Sequence, residues 1–279
     1  MYVDAHLHLK DYIDCYRQSY GEHAAPRFTT VCRYCFSAHN YAEFVEQYAY
    51  IKAAASTAQI PKLSQSLFSF GIHPQMPTLE EVEHLIMLLQ KKYIHAIGEC
   101  GFDLFSEEYR RTLPQQHRVW ELQLELAYQY NVPIVIHCRK GLHLIFQYIP
   151  MLKQLPAVIF HGWSGGLQEA AAFLKKGVNA YFSVGKAVLR GQKSVCAAAA
   201  SVDIRRLVTE TDAPYMRLKH ETFTHPIDII AVTKKCAVLR GIAVPEAMDC
   251  AENTEYAVFL ETLNRNFCNA FAGSCTSTA

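Results

Sequence analysis

Six residues spread from His6 to Asp212 carry the side-chain chemistry of a divalent-cation site: His6, His8, Glu99, His137, His161 and Asp212. His6 and His8 stand two apart. On a strand such a pair shares one face with α-carbons about 6–7 Å apart, so both imidazoles can reach one ion. Leu7 and Leu9 would then point outward against helices, with Asp4 one layer below the pair. A half-exposed strand has the same spacing, but the neighbouring strands are apolar. Glu99 sits in Ala96-Ile-Gly-Glu-Cys-Gly101. A buried carboxylate there must be compensated, by an Arg or Lys or by a metal. His137 or His161 taken singly also reads as a hydrogen-bonded core histidine. Asp212 follows Glu210 by two, so both carboxylates can point inward, Glu210 deeper. Together, four imidazoles and two carboxylates form a nitrogen and oxygen donor set that suits one or two divalent ions, zinc, manganese or magnesium.

Such a convergence needs a scaffold, and the chain alternates strand-like runs with helical periods. Strands are expected at Tyr2–Ala5, Thr29–Ser37, Leu67–Ile72, Tyr93–Glu99, Pro133–His137, Ala157–His161, Ala180–Val184 and Leu207–Asp212. Helices are expected through Glu43–Ile51, from Thr78 to Gln90 with a Thr78/Glu81 capping box, and at Leu113–Tyr130. Further helices are expected at Leu142–Tyr148, Leu167–Lys175, Val195–Ser201, Ile227–Leu239 and Glu255–Leu260. Eight regular units favour a closed (β/α)₈ TIM barrel over an open doubly wound sheet. All six candidates fall at the expected C-terminal strand ends, where such barrels keep their chemistry. The barrel is expected as a single domain over residues 1–265, with a flexible tail over 266–279.

Composition removes other classes. Of the 279 residues 51% are hydrophobic, enough for a large core and too many for disorder. A formal charge of +1 carries no polyanion-binding footprint, so any basic surface is local. There is no signal-like N-terminus and no apolar run near the ~20 residues needed to span a bilayer, and the expected location is the cytoplasm. The ten cysteines then read as reduced. Cys32 and Cys35 have redox-motif spacing, but they fall inside a strand and face opposite sides, so the expected role is packing.

Seven ordered motifs resemble the TatD family of metal-dependent hydrolases, often described as DNases. They are Asp4-Ala-His-Leu-His8, Gly71-Ile-His-Pro74, Gly98-Glu-Cys-Gly-Phe-Asp103, Gln116-x-x-x-Trp120-x-x-Gln123, Pro133-Ile-Val-Ile-His-Cys-Arg139, His161-Gly-Trp-Ser-Gly165 and Glu210-Thr-Asp-Ala-Pro-Tyr215. They span about four fifths of the chain. The resemblance implies that His6, His8, Glu99 and Asp212 ligate one ion and that Glu99 bridges to a second held by His137 and His161. It places His73, Asp103 and Arg139 near the substrate. On the residues alone His73 can equally cap a strand end, and Asp103 can pair with Arg139. The chain departs from the family at Lys10, where Asp is common. It departs again at Gly162-Trp163, in place of Cys-Phe, and in Met216–Pro226, which keeps Arg217 and Pro226 but lacks the usual glycine and asparagine.

The implied activity is metal-assisted hydrolysis with DNA as substrate, cut from its ends as by a 3′–5′ exonuclease, with Asp212 as proton carrier and Glu99 as the bridging carboxylate. No lysine ends the fourth strand, so a carbamylated-lysine bridge is excluded there. Two alternatives remain: a hydrolase of esters, lactones or amides on the same centre, and a barrel that serves only as a scaffold. No obligate protein partner and no membrane association are evident.

Overall fold

Strands covered on both faces are apolar along their length, and the computed structural model, which describes residues 1–29, 31–54, 66–245 and 254–271, has eight of them. They are Tyr2–Leu7 (β1), Cys32–Ala38 (β2), Ser66–Phe70 (β3), Ala96–Asp103 (β4), Ile134–Arg139 (β5), Val158–Phe160 (β6), Ala180–Val184 (β7) and Leu207–Thr209 (β8). All pair in parallel and in chain order. Backbone bonds just beyond β8 bring the ends of the sheet together: the Asp212 amide donates to the His6 carbonyl at 2.9 Å and the His8 amide to the Ala213 carbonyl at 2.7 Å. The result is a single-domain, nearly closed (β/α)₈ barrel, as the strand–helix alternation predicts.

The helices are Leu9–Tyr20 (α1), Tyr41–Ala54 (α2), Val82–Gln90 (α3), Glu107–Arg111 (α4), Leu113–Tyr130 (α5), Leu142–Ile145 (α6), Ile149–Leu152 (α7), Leu167–Lys175 (α8), Lys193–Ser201 (α9), Ile229–Leu239 (α10) and Glu255–Ala270 (α11). Aromatic contacts tie them to the strands. Trp120 of α5 meets Phe102 of β4 at 5.8 Å between ring centres, and Phe173 of α8 meets Phe160 of β6 at 4.7 Å.

Several expectations change. α1 was not anticipated, although Leu9, Tyr12, Ile13 and Tyr16 are spaced for one helical face and are buried; its tyrosines serve as the apolar stripe. The Thr78/Glu81 capping box does not form. α3 starts at Val82, and the Glu81 carboxylate instead accepts the Tyr41 amide at 3.0 Å, linking the start of α2 to α3. β4 begins later than expected and runs four residues past Glu99, while β8 stops three short of Asp212. The expected tail from 266 is also corrected. α11 continues to Ala270, burying Phe267 and Phe271, and the Asn266 amide donates to the Ile204 and Leu207 carbonyls at 2.6 and 2.7 Å. Residues 272–279 lie outside the described residues.

Candidate metal centre

The centre is organised around one carboxylate. Between Gly98 and Cys100 the register of β4 against β5 slips by one residue, leaving Glu99 as the extra residue of a bulge, 3% exposed. A bulge re-aims a side chain that regular pleating would commit to its neighbours' alternation. The slip needs room: a Cβ on Gly98 would collide with the Val135 carbonyl oxygen, and one on Gly71 would lie 2.6 Å from the Gly98 α-carbon. Two glycines therefore let β3, β4 and β5 close around the Glu99 backbone.

Six imidazoles surround the Glu99 carboxylate. Oε1 lies 3.3 Å from His6 Nε2, 3.2 Å from His8 Nε2 and 3.3 Å from His39 Nε2. Oε2 lies 2.6 Å from His161 Nε2, 2.9 Å from His137 Nδ1 and 3.6 Å from His73 Nε2. Asp212 joins the first trio, its Oδ1 3.7 Å from His6 and 3.5 Å from His8. All six predicted ligands are thus brought together, from β1, β4, β5 and the segments after β1, β6 and β8.

Nitrogen faces nitrogen across the centre: His6 Nε2 and His8 Nε2 are 3.2 Å apart, as are His137 Nδ1 and His161 Nε2. A proton on one nitrogen makes such a contact a hydrogen bond, and with no proton between them the two lone pairs repel. A cation between them turns the same arrangement attractive, so this donor set fits a divalent ion. Ligand atoms of His6, His8 and Asp212, of His6, Glu99 and His161, and of His73, Glu99 and His137 each lie within 4.8 Å of one another.

The protonation pattern has the same cause. Burial would raise the Glu99 carboxyl, but His161, His6 and His73 outweigh it and hold it well below the usual range. Burial likewise opposes Asp212, which the His8 hydrogen bond, His161 and His6 hold below its ordinary value. His8 is pushed up to about 10, its two carboxylate partners overcoming burial, whereas burial takes His73 down to about 3. The ionised carboxylates attract positive charge, and a metal would replace protons there.

Around these groups stand residues that fix their direction. Asp4, fully buried one layer down, accepts the Thr211 amide at 2.8 Å and its hydroxyl at 2.6 Å, holding the chain just before Asp212. Glu210 accepts the Gly162 amide and lies 3.6 Å from His161 Nδ1, so it orients the ring that faces Glu99. Asp103 accepts from Gln75 at 2.8 Å and from the Phe105 amide at 2.8 Å, and lies 3.2 Å from His137 Nε2. Burial would raise its carboxyl, but these bonds, His137 first, bring it to about 2. The Asp103–Arg139 side-chain pair that the residues left open as an alternative is not formed; Asp103 is taken by His137 and Gln75. Arg139 sits at the exposed rim, its guanidinium carbon 3.6 Å above the Phe105 ring, with Lys140 4.8 Å from the same ring.

Two buried glutamines of α5 position whole loops. Gln123 accepts the Ile72 amide at 2.7 Å and donates to its carbonyl at 3.1 Å; Gln116 does the same for Asp103, at 3.0 and 3.1 Å. Each primary amide mimics a neighbouring strand and fixes the residue before His73 or Asp103 itself. The sequence presented both glutamines as a motif without a role. It missed His39 altogether, although His39 directly follows β2, where the strand-end rule looks for chemistry. Beside the centre, His161, Gly162, Trp163, Cys138 and Lys140 line a pocket of about 280 Å³.

Comparison with known proteins agrees with this architecture. Over 154 residues the chain is 32% identical to a 3′-5′ ssDNA/RNA exonuclease TatD of Pantoea ananatis, a match covering 52% of this chain and 57% of that relative. Over 254 residues it is 26% identical to an uncharacterized metal-dependent hydrolase of Methanocaldococcus jannaschii, covering 89% and 92% of the two chains. In three dimensions it resembles a TatD homologue from Escherichia coli K12, with a TM-score of 0.72, 21% identity, and 97% and 98% of the two chains covered. The similarity to a TatD family hydrolase from Entamoeba histolytica has a TM-score of 0.69 at 17% identity, covering 96% and 97%. The family described as TatD related DNase matches residues 3–267, and the chain belongs to that family.

Proposed function

We propose that this protein is a divalent-metal-dependent phosphodiesterase that shortens single-stranded DNA from its ends, of the 3′–5′ exonuclease type. The observation that carries the reading is Glu99: each of its oxygens faces a separate trio of imidazoles, the arrangement a carboxylate needs to bridge two cations. His6, His8, Glu99 and Asp212 would hold one ion, and Glu99, His137 and His161 the other. A bound ion of this kind lowers the pKa of a water and polarises the phosphoryl oxygen. The chain's own residues supply the rest. Asp212, kept ionised by His8, His161 and His6, accepts the proton of the attacking water at its carboxylate and returns it to the leaving oxygen. Arg139 and Lys140, flanking Phe105 at the rim, neutralise phosphate charge, with the exposed ring available to a base. His73, next to the Ile72 that Gln123 fixes, and the buried Asp103, fixed by Gln116, stand against His137 behind that rim.

The Pantoea relative named as an ssDNA/RNA exonuclease supports nucleic acid as substrate. The eight cysteines among the described residues are all free thiols. Among the described residues no helix is long and apolar enough to cross a membrane. The test is a time course on end-labelled single-stranded and duplex DNA with Mg²⁺, Mn²⁺ or Zn²⁺ added. Stepwise shortening that disappears in Glu99→Ala is expected. Intact DNA with every metal, while the same preparation hydrolyses a lactone or ester, would replace this reading with an esterase-type hydrolase.

A further inference from the structure

Not every cavity of the barrel is at the metal centre. A cavity of about 560 Å³ opens at the opposite, N-terminal face, among the residues that lead into β7 and β8 and the inner side of α11. Three guanidinium groups line it: Arg205, Arg206 and Arg265. Asp203, the one acidic residue in its wall, is fully engaged by Arg205, with contacts of 2.7 and 3.1 Å. Arg206 donates to the Asn179 side-chain oxygen and lies 5.3 Å above the Tyr181 ring, which fixes its plane, and it shares the charge of Asp203 with Arg205. Arg265 is exposed on α11, and among the described residues its guanidinium has no hydrogen-bond or ion-pair partner. Three guanidinium groups against one carboxylate therefore give this concave wall an excess of two positive charges, in a chain whose net charge is only +1.

We propose that this cavity binds a phosphate monoester of about mononucleotide size. Guanidinium groups match phosphate oxygens in a forked, charge-assisted geometry, and a pair of them offers more donors than a carboxylate ligand can use. The volume falls within the ~300–1,000 Å³ range of small-ligand pockets and far exceeds the needs of a bare phosphate ion. Leu174, Val178 and Tyr181 supply apolar wall for the organic part, and Asn269 and Thr262 supply polar groups beside it. The site lies at the other end of the barrel from Glu99 and does not depend on the reading of the metal centre.

Calorimetric titration in excess chelator, which silences the metal centre as a phosphate site, tests the proposal with three probes: 5′-dAMP, ribose 5-phosphate and inorganic phosphate. One-to-one binding of at least one organic phosphate is expected, with the nucleotide and the sugar phosphate deciding how much of the body is recognised. Arg265→Ala and Arg265→Glu should weaken it by about tenfold or more, the scale of a lost charge-assisted contact. Arg118→Ala, at an exposed arginine of α5 outside the cavity wall, should leave it unchanged, and thermal melts should show that all three variants keep the fold. No binding of any probe, or binding that survives Arg265→Glu, overturns the proposal. So does inorganic phosphate binding as tightly as both esters, because the apolar wall would then have no part in recognition.

Discussion

Asp212 occupies a left-handed backbone conformation, φ +56°, that few residues other than glycine, asparagine and aspartate adopt readily. That backbone turn, pinned by the bond from its amide to the His6 carbonyl, carries its carboxylate over the centre from three residues beyond β8. Asparagine tolerates the same conformation, so Asp212→Asn isolates chemistry from folding. Turnover is expected to fall by roughly 10²–10⁴-fold, the usual contribution of a general base, with the fold and much of the metal retained. A variant within a few-fold of wild type would leave Asp212 a structural ligand. Metal content separates the other roles. Glu99 touches both trios, so Glu99→Ala should lose more metal than His137→Ala by elemental analysis; equal losses would remove the bridge.

At the scale of elements, the site depends on the close approach of β3 and β4. Gly71→Ala would force a methyl against the Gly98 backbone at 2.6 Å, a contact that only a backbone shift can relieve. Overpacking of this kind costs about 1–3 kcal/mol. Because Gly98 precedes Glu99, metal affinity should fall along with stability in denaturant unfolding, whereas loss of stability alone would show that the bulge adapts.

The same two strands carry a pH-dependent link. His95 Nδ1 accepts the Phe68 amide at 3.1 Å, and its own amide donates to the Phe68 carbonyl at 2.7 Å. Burial lowers the imidazole to about 4. The unfolded chain therefore takes up a proton first as pH falls below about 6.5, and stability drops through the window from about 6.5 to about 4. Relative to His95→Gln, wild type should lose about 2 kcal/mol between pH 7 and pH 5. Parallel unfolding curves for the two proteins at both pH values would contradict it.

For the whole molecule, the two ends of the barrel do different work: a carboxylate–imidazole cluster at the C-terminal strand ends and a basic cavity at the N-terminal ends. The small net charge limits how many phosphates a DNA strand can engage at once. Strand binding should therefore weaken only modestly with salt, at roughly −0.7 in log–log slope per phosphate contacted. Because ions bind the folded cluster and not the dispersed ligands of the unfolded chain, chelation should lower the melting temperature, and restoring the ion should reverse it. A melt indifferent to chelator would argue against a resident metal.

The sequence alone determined the barrel and the family, and it singled out the six candidate residues that the fold brings together. Period-2 and period-3.6 patterns are local properties, and metal-ligating residue types at strand ends survive as short motifs. It misplaced the boundaries near the site because those are set by contacts distant in sequence. β4 runs past Glu99 through its pairing with β5, β8 ends early where bonds to β1 take over, and α11 reaches Ala270 because Phe267 and Phe271 find a core to fill. Tertiary structure alone revealed His39 beside Glu99, the α5 glutamines acting as surrogate strands, and Asp103 bonded to His137 rather than to Arg139. It alone gathered Arg206 and Arg265 around one cavity. A hydrogen bond or a shared wall depends on distance in space, and residues far apart in the chain carry no local pattern that records it.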